Sequence, residues 1–262
     1  MSASVRRTLL ALFVTCAFAC GGAYFGRHYE YDEELYLSTD GSANVVVNAS
    51  IPALIALRGL QLDSGPSAPV DRSAIRAAYE SPLTQVTGIS SWRRYGRQFV
   101  QVRVRVSDIR QLSSVPPFSW SRYELMEKDG QRVFRQTVES SAFKPGTLKN
   151  VGWTGAELVG FRLHLPSAIL WHNARDVETG KESQVQRGNI LEWDQSLADR
   201  LDGRPVSIEV RTGRDSILSR TLGLFAGAFL AAVLLLVFLT WMMFRRGKKN
   251  VVGGLPHPSV DR

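Results

Sequence analysis

One stretch near the C-terminus constrains this chain more than any other feature of its sequence. Residues Thr221–Phe244 read TLGLFAGAFLAAVLLLVFLTWMMF and contain no charged side chain. At about 1.5 Å per residue, a helix of this length spans roughly 36 Å, which is enough to cross a hydrocarbon core about 30 Å thick. Core helices of soluble proteins rarely run this long without a polar face. The sequence therefore predicts one C-terminal transmembrane helix.

The distribution of charge indicates how this helix is oriented. The formal net charge is +8, yet residues 28–217 hold 23 Lys and Arg against 23 Asp and Glu and are neutral. The excess flanks the apolar segments, and most of it follows the helix at Arg245, Arg246, Lys248 and Lys249. Such a cluster marks the cytoplasmic side, whereas nucleic-acid binders carry the excess on their folded domain. We expect a basic cytoplasmic tail over residues 245–262, unstructured from Gly247, and no nucleic-acid partner.

A second apolar segment, Thr8–Gly26, lies within the leader of residues 1–26. Arg6 and Arg7 precede it, and Ala17-Phe18-Ala19 has the A-x-A form of a signal-peptidase site. Three fates remain open, namely cleavage after Ala19, lipidation of Cys20 and retention as a signal anchor. All three place residues 28–217 outside the cytoplasm. Both cysteines, Cys16 and Cys20, lie in this segment, so the outer domain has no internal disulfide.

The outer domain reads as alternating strands with a few short helices. Asp40-Gly41 between two extended runs predicts a hairpin. Over Gln98–Val106 the valines face one way and Gln101, Arg103 and Arg105 face the other. Similar runs predict eight or nine strands, and the capping residues Pro52, Asp71 and Asp108 predict two or three short helices. The expected fold class is α+β with a largely antiparallel β-sheet.

Three stretches of the outer domain carry a family resemblance. They read STDGSANVVVNASIPAL from Ser38, QVRVRVSDIRQL from Gln101 and FRLHLPSAILWHNARDVETGKESQVQRGNILEWD from Phe161. In these stretches the chain resembles the bacterial LppM-type envelope and lipoprotein domains, which are usually followed by a transmembrane helix. The resemblance implies an α+β domain that binds lipids or glycolipids at the cell envelope. Its motifs are architectural, so they transfer no ligand residue.

A basic and aromatic patch is the strongest candidate for ligand binding. Six arginines and one aspartate fall within residues 92–110, giving 6 − 1 = +5. Arginines on the outer face of one strand can bind lipid phosphates bidentately, and aromatic side chains at a hairpin tip suit a membrane interface. The predicted ligand-binding residues are Arg97, Arg103, Arg105, Trp92 and Tyr95. The alternative is a solvated strand face balanced by acidic neighbours.

Catalytic and metal-binding motifs are absent from the sequence, so we expect neither an enzyme nor a cofactor or metal. Glu192 and Asp194 are the one carboxylate pair of interest, since residues i and i+2 of a strand share a face about 7 Å apart. Such pairs hydrolyse glycosides when they line a suitable cleft. We interpret this pair, and the acidic run Asp32-Glu33-Glu34, as solvated strand edges.

The sequence supports three hypotheses of decreasing weight. The first is a non-enzymatic protein of the bacterial cytoplasmic membrane that binds an anionic lipid, a glycolipid or a partner protein. The second is an accessory or scaffold subunit, or a homo-oligomer, that associates through the small-residue stripe Gly223, Gly227 and Ala231. The third is an envelope hydrolase using Glu192 and Asp194.

Overall fold

A computed structural model describes residues 27–65, 67–140 and 151–251. The predicted leader with Cys20, and the tail beyond Val251, lie outside the described residues. The chain divides into two compact units, one ending at Arg214 and the other beginning at Asp215.

Ten strands and four α-helices make up the described chain. The strands are β1 (Tyr29–Leu37), β2 (Ala43–Ser50), β3 (Thr84–Arg94), β4 (Arg97–Val106), β5 (Ser121–Lys128), β6 (Gln131–Val138), β7 (Leu158–His164), β8 (Ser167–His172), β9 (Ile190–Ser196) and β10 (Val206–Ser216). The helices are α1 (Ile51–Arg58), α2 (Arg72–Tyr79), α3 (Leu197–Leu201) and α4 (Ile217–Val251), and 3-10 turns cover Ile109–Ser114 and Pro116–Phe118.

The strands form two sheets, which confirms the predicted α+β class. Sheet 1 has the order β3-β4-β2-β1-β7-β9, and sheet 2 has the order β5-β6-β10-β8. Strands β1 and β7 pair in parallel, while β2, β4 and β9 each join their neighbours in antiparallel ladders. Strand β1 therefore lies inside sheet 1, with β2 on one side and β7 on the other.

The period-2 pattern of β4 determines which face of sheet 1 meets the core. Its even-numbered valines, Val100 to Val106, are buried, whereas Arg103 and Arg105 are exposed. Helix α1 follows β2 without a loop, and the Ser50 hydroxyl caps it by accepting a hydrogen bond from the Ala53 amide at 3.1 Å. Gly59 ends α1 with a φ of 69°, a left-handed conformation that favours glycine.

A buried ion pair lies inside this core. Glu33 points inward from β1, and its Oε2 accepts hydrogen bonds from Arg58 Nη2 at 3.1 Å and Tyr31 Oη at 2.7 Å. Its Oε1 accepts from Gln136 Nε2 at 2.9 Å and from Tyr123 Oη at 3.2 Å. The carboxylate thereby links β1 and α1 to strands β5 and β6 of sheet 2.

Helix α4 contains the apolar segment. Residues Thr221–Arg245 form the one described helix that is long and apolar enough to cross a membrane, with a mean hydropathy of 2.8 and none of its apolar window buried. The Arg245 guanidinium lies 4.1 Å from the centre of the Trp241 ring. The helix continues to Val251, past Gly247, where the sequence predicted an unstructured tail.

The chain leaves sheet 2 after β8 and enters sheet 1 at β9. One interpretation of the acidic strand residues was wrong. The run Asp32-Glu33-Glu34 is not a solvated edge, because β1 is an internal strand and Glu33 faces the core.

Candidate functional site

Four carboxylates gather on the face of sheet 1 that points away from the core. Strand register places Asp32, Gly160 and Asp194 in one row across β1, β7 and β9. The next row holds Glu34, Arg162 and Glu192. We call this group of Asp32, Glu34, Glu192 and Asp194 around Arg162 the acidic face.

Arg162 is the central cation of the acidic face. Its Nη2 lies 2.9 Å from Glu192 Oε1, and its Nη1 pairs with Asp32 and lies 3.8 Å from Glu34. Burial raises the pKa of Asp32 to about 7, against the attraction of Arg162. One guanidinium group thus contacts three carboxyl groups. Its single positive charge does not balance them, so the acidic face keeps a net negative charge.

Tyr29 joins the two carboxylates of β9. Its hydroxyl oxygen lies 3.0 Å from Glu192 Oε1 and 3.0 Å from Asp194 Oδ2, so these two carboxylate oxygens are at most about 6 Å apart. A phenol has one proton to donate, so both contacts become hydrogen bonds only when one carboxyl group is itself protonated. Burial, followed by repulsion from Glu192, raises the pKa of Asp194 to about 6. The Asp194 carboxyl group therefore takes up a proton more readily than an ordinary aspartic acid.

Asp194 lines a pocket and has one oxygen without a hydrogen-bond partner among the described residues. Its side chain is only 3% exposed, its Oδ2 accepts from Arg27 Nη1 at 2.7 Å, and its buried Oδ1 has no hydrogen-bond partner among the described residues. The pocket that Asp194 lines has a volume of about 380 Å³. Its lining is polar or charged throughout: Arg27, Arg175, Asp176, Thr179, Lys181, Glu182, Ser183, Gln184, Gln186, Glu192 and Asp194. This acidic-face pocket offers hydrogen-bonding groups of both kinds.

Glu192 is held more completely than Asp194. Its Oε1 accepts from Tyr29 and from two nitrogens of Arg162, and its Oε2 accepts from Gln186 Nε2 at 3.1 Å. Both carboxylate oxygens of Glu192 therefore have donors within the protein. Among the described residues, no group of three or more His, Cys, Asp or Glu side chains is arranged to hold a metal ion.

The raised pKa of Asp194 predicts a pH-dependent stability. Between its ordinary pKa of 3.8 and about 6, the folded protein holds a proton that the unfolded chain has lost. The free energy of unfolding should therefore fall as the pH rises through this window, by roughly 3 kcal/mol. Asp194→Asn should flatten that slope in urea unfolding curves recorded at several pH values. The groups facing Asp194 are Arg27, Tyr29, Glu192 and Arg162. Equal slopes for both proteins would contradict this prediction.

Four residues of the predicted basic and aromatic patch are exposed, and the fifth, Arg97, is buried. Arg103 and Arg105 are exposed on β4 and form no ion pair with any described residue. Trp92 stacks on Phe99 at 5.7 Å, and Tyr95 occupies the tip of the β3–β4 hairpin with a φ of 50°. The predicted role of these four residues in ligand binding stays a prediction.

Arg97 does not join the exposed patch. It is buried, and its Nη2 lies 2.6 Å from Glu30 Oε1, while its Nη1 donates to the Val151 and Gly152 carbonyls at 3.1 and 2.9 Å. The same Glu30 accepts from Trp153 Nε1 at 3.0 Å. With its donors engaged inside the protein, Arg97 fastens β4 to the segment before β7, and its placement in an exposed cationic patch was wrong.

Sequence reasoning found Glu192 and Asp194 but missed their partners. Asp32, Tyr29 and Arg162 come from β1 and β7, which lie far from β9 in sequence. The available signal was the period-2 spacing of Asp32 with Glu34 and of Arg162 with His164. That spacing gives a shared face within each strand and leaves the neighbouring strands unidentified.

The small-residue stripe of α4 is open in this structure. A methyl group placed on Gly223 or Gly227 would meet nothing within 4 Å. Helix self-association through Gly223, Gly227 and Ala231 remains a prediction.

Fold and site together define an α+β domain with an acidic polar pocket, followed in the chain by a helix of membrane-spanning length. No family model and no curated protein matches the sequence. Among solved structures, the chain is similar to the folded domain of LppM from Mycobacterium tuberculosis, at 11% identity and a TM-score of 0.36, over 74% of this chain and 95% of that one. A likeness this weak supports no conclusion about function, and membership in the LppM-type family stays a prediction.

Proposed function

We propose that this chain is a membrane-anchored binding protein whose folded domain lies outside the cytoplasm and holds a hydroxyl-rich glycan or glycolipid headgroup, without reacting with it. Two features support the anchor. The apolar window of α4 is not covered by the protein, and burying such a surface in lipid is strongly favourable. Basic residues follow it in the sequence, as the positive-inside rule requires of a cytoplasmic end.

The orientation can be tested by cysteine labelling in intact bacterial spheroplasts. With Cys16 and Cys20 replaced by serine, Arg122→Cys should react with a membrane-impermeant maleimide, because Arg122 is an exposed residue of the folded domain. Asn250→Cys should react only after permeabilisation. Labelling of Asn250→Cys in intact spheroplasts, or protection of Arg122→Cys, would overturn the proposed topology.

The unsatisfied Oδ1 of Asp194 is the observation on which the proposed ligand rests. A buried acceptor without a donor costs about 1–3 kcal/mol, and a ligand hydroxyl would recover that cost. The pocket volume of about 380 Å³ is sufficient for a sugar unit. Its polar and charged side chains suit sugar hydroxyls. The engaged carboxylate of Glu192 supports binding over hydrolysis.

A glycan array probed with the full chain in detergent tests this proposal. Wild-type protein should bind a subset of the array, and Asp194→Asn should weaken that binding by about tenfold, the loss expected for one charge-assisted hydrogen bond. Asp199→Asn is the matched control, because Asp199 lies on α3 and is outside the pocket lining. No binding by the wild type, or equal binding by Asp194→Asn, would refute the proposed ligand. Release of sugar from a bound glycan would favour the hydrolase instead.

Anionic lipid is a second candidate ligand, favoured by the exposed guanidinium groups of Arg103 and Arg105, which form no ion pair with a described residue. Each lysine or arginine near an anionic surface contributes about 1 kcal/mol. The double variant Arg103→Glu, Arg105→Glu should therefore lower binding to vesicles containing phosphatidylglycerol by more than about tenfold. The measurement is flotation of full chain held in phosphatidylcholine nanodiscs.

A charge-matched control separates this patch from the net charge of the domain. Arg122→Glu with Arg204→Glu changes the charge equally at two exposed positions that already carry ion pairs with Glu139 and Asp199. If both double variants lose binding equally, the effect belongs to net charge, and the patch has no specific role.

A further inference from the structure

Arg27 fills part of the acidic-face pocket with the chain's own guanidinium group. Its Nη1 lies 2.7 Å from Asp194 Oδ2, its Nη2 lies 2.9 Å from Asp176 Oδ2, and its Nε lies 3.8 Å from Glu178 Oε1. Three carboxylates from two separate segments thus surround one cation. We call Asp176, Glu178 and Asp194 the Arg27 socket.

Two of the three socket carboxylates, Asp176 and Asp194, are held by hydrogen bonds, whereas Glu178 is largely exposed. Asp176 Oδ1 accepts from the Thr179 amide and from its hydroxyl, each at 2.8 Å. These hydrogen bonds, with Arg27, lower the pKa of Asp176 to about 2, so its negative charge persists. The Tyr29 hydroxyl contacts Asp194 Oδ2 at 3.0 Å, and the Asp194 side chain is almost fully buried. The Oδ1 atom of this pocket-lining residue is buried and has no hydrogen-bond partner among the described residues. A ligand that donates a hydrogen bond would satisfy it.

The Arg27 side chain can leave the socket without breaking a strand hydrogen bond. It precedes β1, and the first backbone hydrogen bond of the β1–β7 junction uses the His28 carbonyl, which accepts from the Leu158 amide at 2.8 Å. Its side chain is 21% exposed and lines the pocket. Rotation of this side chain into solvent breaks ion pairs but no ladder hydrogen bond of sheet 1.

We propose that the Arg27 socket is the cation subsite of the ligand pocket, and that Arg27 is a built-in competitor which an amine-bearing sugar must displace. The inference rests on the proposed glycan-binding function and names the class of glycan. A sugar ammonium would take the place of the guanidinium between Asp176 and Asp194. The neighbouring hydroxyls would then meet Asp194 Oδ1 and the amides and hydroxyls of the pocket lining.

Competition by an internal group has a defined consequence for affinity. The apparent dissociation constant equals the intrinsic one divided by the fraction of molecules with an open socket. Removing Arg27 should raise that fraction towards one and tighten the binding of an amino sugar. It should leave a neutral sugar of the same size almost unaffected, because that sugar gains nothing from the socket.

The experiment compares glucosamine with N-acetylglucosamine, using the full chain in detergent at neutral pH and titration calorimetry. Arg27→Ala should bind glucosamine about tenfold more tightly than the wild type, as expected if the socket is open in about one molecule in ten. Binding of N-acetylglucosamine should change little. Adding Asp194→Asn to Arg27→Ala should abolish the gain. Equal changes for both sugars, or a gain that survives Asp194→Asn, would overturn the proposal.

A second measurement does not depend on sugar binding. Methylguanidinium should raise the thermal midpoint of Arg27→Ala, and it should have no such effect on the wild type or on Arg27→Ala, Asp194→Asn. Arg27→Lys, which keeps one charge, serves if the alanine variant fails to fold, and its response should be intermediate. No selective rescue in either variant would overturn the socket. Selective rescue without any sugar binding would refute the glycan function and leave the socket as a cation site.

Discussion

Arg58→Ala is expected to lower the free energy of unfolding by about 3–5 kcal/mol, the usual cost of breaking a buried ion pair by removing one partner. The Glu33 side chain, which is 3% exposed, would then lie in the core without its cationic partner. The Tyr31 hydroxyl would also lose its donor, since Arg58 Nε donates to it at 2.8 Å. Urea unfolding of the full chain in detergent, followed by tryptophan fluorescence, measures the loss.

The same chain supplies the control for this prediction. Arg122 and Glu139 form an ion pair of similar length, 3.0 Å against 3.1 Å, but both side chains are more than half exposed. Solvent-exposed pairs contribute between about 0 and 1 kcal/mol. Arg122→Ala should therefore change the unfolding free energy by less than about 1 kcal/mol. Comparable losses in the two variants would show that the Glu33 network does not stabilise the fold in the way proposed.

The contacts of Glu33 explain why removing its ion pair with Arg58 should destabilise the whole domain. Through one carboxylate, β1 of sheet 1 is linked to α1, to β5 through Tyr123 and to β6 through Gln136. A fully satisfied network of this kind specifies how two sheets pack, whereas a partly satisfied one is costly. We therefore expect the two sheets of Arg58→Ala to unfold together and at lower urea.

Local patterns in the sequence were sufficient to predict faces and turns. The alternating valines of β4 identified its core face, and Asp40-Gly41 identified the β1–β2 hairpin. Both signals depend only on residues within one or two strands. They also predicted that Glu192 and Asp194 share a face, which the structure confirms, with Trp193 buried on the opposite side.

The partners across the sheet could not be predicted in this way. The sequence pattern predicts that Arg97 is an exposed residue of β4. Its guanidinium group is instead buried, because it binds Glu30 and the Val151 carbonyl, which are 67 and 54 residues away in sequence. The acidic face likewise needs the strand order β1-β7-β9, and the parallel pairing of β1 with β7 leaves no local mark. Topology, and not residue type, decided which carboxylates meet.

Gly160 is the position where a single methyl group should disturb the acidic face most. It lies between Asp32 and Asp194 in the sheet register. A Cβ atom there would lie 2.9 Å from Tyr29 Cε1 and 3.1 Å from Asp32 Oδ1. The Tyr29 ring has little freedom to yield, because its hydroxyl contacts both β9 carboxylates and the Arg162 guanidinium lies over its face at 4.9 Å.

Gly160→Ala should therefore destabilise the protein by about 1–3 kcal/mol, the usual cost of overpacking, and should weaken glycan binding together with stability. Displacement of Tyr29 would break the contacts of its hydroxyl group with Glu192 and Asp194. Gly88→Ala is the matched control in the same sheet, since its nearest atom, Arg103 Cδ, is 3.9 Å away, an ordinary contact distance. Urea unfolding and the glycan array measure both effects. If Gly160→Ala bound glycan as the wild type does, Tyr29 would have no part in shaping the pocket.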